Sequence, residues 1–94
     1  MDIPKTLKIG GQIFTVTIEN RSKESGIDKL GTCYGSKNRI WLDTEQPETQ
    51  MESTLIHEII EALNWQLNIG LEERQICQIE AGLYQVFKDN KIIN

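Results

Sequence analysis

The chain has 94 residues, 38% hydrophobic and 26% charged, and a formal net charge of −4. That is enough for one domain, residues 1–94, around one modest core. It includes no run of about eighteen apolar residues able to span a bilayer, and its Lys and Arg are too scattered to grip a nucleic-acid backbone. Neither a membrane nor a nucleic acid is expected as partner. The opening Met1-Asp2-Ile3-Pro4-Lys5 lacks the apolar stretch of a secretory signal, so a cytoplasmic location is expected.

The first half reads as strands. Leu7 and Ile9 alternate with polar residues, Gly10-Gly11 offers the positive φ of a tight turn, and Phe14, Val16 and Ile18 alternate with Thr15 and Thr17, which predicts a β-hairpin. Residues 20–30 are polar, contain Gly26 and predict a surface loop. A second hairpin is expected from Thr32–Tyr34 through Gly35-Ser36-Lys37-Asn38 to Arg39–Asp43. In it Ile40 and Leu42 share one face, and Arg39, Trp41 and Asp43 the other.

The second half predicts two helices. The first runs from about Pro47, a residue suited to an opening helical turn, to Leu67, with Gly70 as the expected left-handed cap. The second opens on Glu72-Glu73, negative charge at a positive dipole end, and continues to about Lys88. Strands first and helices second is the α+β order: about four strands in antiparallel hairpins, then two helices.

The first helix is amphipathic. Met51, Leu55, Ile56, Ile59, Ile60, Ala62, Leu63 and Leu67 fill one arc. His57 and Glu61, spaced i and i+4, lie one above the other on the polar arc, where an imidazole and a carboxylate can reach one ion. Glu58 points to the side, placed to deprotonate a water. A solvated polar face is the simpler reading of that spacing alone. On the second helix Glu80 falls inside the apolar arc, between Phe87 and Tyr84. A carboxylate there needs a cation, a hydrogen-bonding partner or a metal. Glu73, in the first turn, reads as an exposed residue favoured by the dipole. Cys33 and Cys77 form no C-x-x-C pair and are expected as buried free thiols.

His57-Glu58-Ile59-Ile60-Glu61, followed about eighteen residues later by Glu80, resembles the gluzincin metallopeptidase pattern of H-E-x-x-H and a later Glu. With its strands and two helices, the whole chain looks like the minigluzincins. Thr54–Ala62 and Gly82–Val86 look like small phage or prophage proteins described as metallopeptidases from the motif. The resemblance implies a zincin-like fold and a metal-dependent hydrolase of peptides, of phage or mobile-element origin. His57, Glu61 and Glu80 would be metal ligands and Glu58 the general base. Tyr84, one turn past Glu80, could stabilise an oxyanion. It also implies that the strand Arg39–Asp43 could take an extended peptide along its edge.

His57 is the only histidine, so Glu61 stands where the family has its second His. One His and two carboxylates offset the charge of a divalent zinc ion and weaken it as a Lewis acid. Zinc remains the first expectation, with manganese or iron favoured by the harder oxygen ligands. Dimerisation could supply missing ligands. The alternative is a non-enzymatic phage accessory or protein-interaction module on the same scaffold, binding a protein partner through apolar residues such as Trp41 or Trp65.

Overall fold

The structure, a computed structural model, describes residues 2–20 and 29–93. In chain order it has β1 (Thr6–Ile9), β2 (Gln12–Ile18), β3 (Gly31–Tyr34), a 3₁₀ turn (Gly35–Lys37), β4 (Arg39–Leu42), α1 (Glu48–Leu67) and α2 (Glu73–Asp89). This is the expected α+β order. The loop expected over residues 20–30 lies largely outside the described residues.

Both hairpins form. β1 and β2 pair antiparallel around Gly10 and Gly11, whose φ values of 57° and 83° suit a two-residue turn with both central residues left-handed. β3 and β4 also pair antiparallel, and Asn38 takes the left-handed conformation after the 3₁₀ turn. The hairpins join through a parallel pairing of β2 with β4, Val16 opposite Ile40 and Ile18 opposite Leu42. The sheet order is therefore β1-β2-β4-β3, and the sheet is mixed rather than wholly antiparallel. Alternation within each strand carries no information about which edges meet, so this junction was not readable from the pattern.

That order corrects the edge-strand expectation. β4 lies between β2 and β3 and has no free edge, whereas β3 pairs only with β4 among the described strands. Trp41 is corrected too: it is buried, and its indole Nε1 donates to the Glu19 carbonyl at 3.0 Å. Trp65 is exposed, as expected.

α1 carries apolar residues toward two neighbours. Leu55 and Ala62, with Met51, Ile59 and Leu63, pack on the sheet residues Phe14, Val16, Ile40 and Leu42. Ile56 and Ile60 pack on Ile76, Tyr84 and Phe87 of α2. α1 thus lies between sheet and α2, and its His57 side is left facing a cleft between β3 and α2. The link between the helices is tight. Asn68 caps α1 in the left-handed conformation, Gly70 two residues on also has a positive φ of 86° as expected, and the Asn64 side-chain oxygen accepts from the N–H groups of Gly70 and Leu71 at 2.9 and 2.8 Å. Glu72 then caps α2 in a capping box with Gln75.

Candidate metal centre

The cleft is a cavity of about 610 Å³ bordered by Gly31, Thr32 and Cys33 of β3, by α1 and by α2. Gly31 permits the close approach. A Cβ there would stand 2.7 Å from Thr54 Cγ2 and 3.2 Å from a Glu58 carboxylate oxygen. The β3 backbone therefore rides directly on α1 beside Glu58.

His57 sits in this cleft with carboxylates at both ring nitrogens. Nδ1 is 2.7 Å from Glu80 Oε1, and the other Glu80 oxygen accepts from the Ser53 hydroxyl at 2.5 Å. Nε2 is 3.0 Å from Glu73 Oε1 and 3.7 Å from Glu61 Oε1. Glu80 has neither a Lys nor an Arg among its described partners. Its seat inside the apolar arc is explained by the ring and the hydroxyl. His57, Glu61 and Glu80 are brought together as the spacing anticipated, but Glu61 and Glu80 meet opposite nitrogens.

Sequence reading missed Glu73 at the ring. The available signal was the spacing of Glu73, Cys77 and Glu80, at i, i+4 and i+7 on one face of α2. Two donor groups follow: His57, Glu61 and Glu73, and His57, Cys77 and Glu80, each with ligand atoms within 4.8 Å of one another. Imidazole nitrogen with carboxylate oxygen is a donor set that fits a divalent ion.

Tyr84 is not at this centre. Its hydroxyl donates to Glu52 Oε1 at 2.8 Å, on the side of α1 that meets the C-terminal part of α2, and the residue does not border the cleft. The oxyanion role expected for it is corrected. Glu52 is 1% exposed and also accepts from Lys88 Nζ at 3.0 Å. The lysine partner that a buried carboxylate can take is thus found at Glu52, whereas Glu80 is paired with the His57 ring.

The electrostatics of the cleft follow from carboxylate crowding. Glu58 is 6% exposed, borders the cavity and has no hydrogen-bonding partner among the described residues. Burial pushes its carboxyl up, the charges of Glu61, Glu73 and Glu80 add to that, and His57 opposes it. The result is a pKa of about 7. Burial of the His57 ring disfavours its charge, but the Glu80 bond and the charges of Glu58, Glu73 and Glu80 outweigh it and hold the ring above its ordinary value. Glu61 is raised by burial, by sharing a hydrogen bond with Glu73 and by that neighbour's charge.

Both cysteines are free, and both border the cleft. Cys33 is half-buried, and burial with the Glu58 and Glu61 charges drives its thiol up to about 12. Cys77 is exposed rather than buried.

No protein-family model, curated protein or solved structure matches the chain. No helix among the described residues is long and apolar enough to cross a membrane.

Proposed function

We propose that this chain is a metal-dependent hydrolase acting on peptides, with Glu58 as its general base. The observation that carries the reading is Glu58 itself: a carboxylate only 6% exposed, with no described hydrogen-bonding partner, opening on the cavity that holds His57. A carboxylate that borders the cleft and is claimed by no other described group is placed to take a proton from a water held there. The resemblance of His57–Glu61 and Glu80 to the gluzincin pattern supports the same reading and a zincin-like scaffold.

A divalent ion, zinc first and manganese or iron next, would be held by His57 with surrounding carboxylates and would supply Lewis acidity to a carbonyl and to a water. The rest falls to the chain. Glu58 takes the proton of the attacking water and returns it to the leaving amine. The edge of β3 that is unpaired among the described strands, bordering the cleft through Gly31, Thr32 and Cys33, would offer backbone groups to an extended peptide in place of the interior β4.

The test is hydrolysis of an unstructured protein such as casein by metal-loaded protein. Wild type should cleave it, and Glu58→Gln should lose about 10²- to 10⁴-fold in rate while still binding metal. Equal rates in the two proteins, or no cleavage by metal-loaded wild type, would contradict the proposal.

A second reading, a protein-interaction module on this scaffold, is favoured by exposed apolar side chains: Trp65 on α1 and Ile79, Leu83 and Val86 on α2. It predicts that Glu58→Gln keeps full biological activity.

A further inference from the structure

We propose that the ion is held on the Nε2 side of His57 by His57, Glu61 and Glu73. Glu80 is then a positioning residue that acts through the opposite nitrogen. This rests on the metal reading above and departs from the ligand set that the motif implies.

An imidazole gives one nitrogen to an ion and holds its orientation through the other. Nδ1 meets one carboxylate, Glu80 at 2.7 Å, whereas Nε2 faces two, Glu73 and Glu61, from different helices. Ligands about 2.1 Å from a tetrahedral ion lie about 3.4 Å apart. The Nε2 separations, 3.0 Å to Glu73 and 3.7 Å to Glu61, fall on either side of that spacing. The second Glu80 oxygen is taken by Ser53, which leaves Glu80 as a fixed acceptor for the ring N–H. A site using Nδ1, Cys77 and Glu80 would have to break the His57–Glu80 bond. It would also recruit an exposed thiol whose sulfur leans on Glu73 at 3.8 Å.

Carboxylates near a histidine are not enough to make a site. The independent observation is Glu58, more than nine-tenths buried, without a described hydrogen-bonding partner and opening on the same cavity. A cation among the cleft carboxylates would offset the crowding of acids around it. Glu73 is positioned from α2, whose first turn the Glu72–Gln75 capping box fixes, and its side chain is 67% exposed, so substituting it costs the fold little.

The experiment is titration of the full chain with cobalt(II), followed by calorimetry and by the visible ligand-field spectrum, for wild type, Glu73→Gln, Glu80→Gln and His57→Ala. Wild type should bind one ion, and His57→Ala should bind none. Glu73→Gln should lose affinity by about 100-fold or more and change the spectrum, because a ligand has gone. Glu80→Gln should lose about 10- to 100-fold and keep the wild-type spectrum, the mark of an outer-shell partner. If Glu80→Gln changes the spectrum while Glu73→Gln binds and absorbs like wild type, the ligand assignment is overturned and the metal reading stands. If wild type takes up no cobalt, both fall.

Discussion

Glu52 and Glu58 lie less than two turns apart on α1 and are almost equally buried, at 1% and 6% exposure, yet they are opposites. Burial pushes both carboxyls up. At Glu52, hydrogen bonds that include those from Tyr84 and Lys88, with the Lys88 charge, overcome burial and bring the pKa to about 2. At Glu58 the neighbours are mostly other carboxylates, and the pKa rises to about 7. Depth alone therefore does not set the protonation of a buried acid. The charge across the helix interface does.

The largest expected effect tests the structural member of the pair. Glu52→Ala removes the shared acceptor of the Tyr84 hydroxyl and the Lys88 ammonium across the helix pair and should cost about 3 kcal/mol in urea denaturation at pH 7. A loss below about 1 kcal/mol would mean the two carboxylates are not different in kind.

Glu58→Gln should do the reverse. A carboxyl whose folded-state pKa is raised contributes stability that is complete below its ordinary value of 4.5 and lost as pH climbs through about 7. His57 and Glu61 are also raised, so metal-free protein should lose stability between about pH 5 and 8. Glu58→Gln should gain about 2 kcal/mol at pH 8 in chelator and little at pH 5. Glu52 has the opposite sign, its contribution being present above 4.5 and lost as pH falls toward 2. Melting curves across pH for both variants would separate the two.

Smaller effects sharpen the geometry. Gly31→Ala places a Cβ 2.7 Å from Thr54 and 3.0 Å from the Trp41 carbonyl, so β3 must lift from α1 at a cost of about 1–2 kcal/mol. Peptide cleavage should fall with it if the β3 edge carries substrate. Ser53→Ala removes one hydrogen bond from Glu80 and should cost under about 1 kcal/mol, seen as a slight drop in melting temperature.

Much of this arrangement was legible in the chain. Alternation in β2, the Gly10-Gly11 turn, Pro47 and Glu72 marked the elements because each depends on local backbone chemistry. The His57–Glu61 spacing and the misplaced polarity of Glu80 led to the cleft. What failed was non-local. The parallel β2–β4 seam and the interior position of β4 depend on strand order, and the burial of Trp41 on what covers the outer sheet face. Tyr84 sat one turn from Glu80, but its hydroxyl was claimed by Glu52 across the helix pair. Glu73 satisfied a simpler rule, acid at a helix start, and its reach to His57 depends on how α2 docks on α1.

The most direct test of the metal account is the melting temperature of chelator-stripped protein at pH 8, with and without excess zinc or manganese. An ion at 100 times its dissociation constant adds about 2.7 kcal/mol. In a chain of this size that should raise the midpoint by roughly 10 °C or more, with no rise in His57→Ala. An unchanged midpoint in wild type, or the same rise in His57→Ala, would contradict a metal centre at His57.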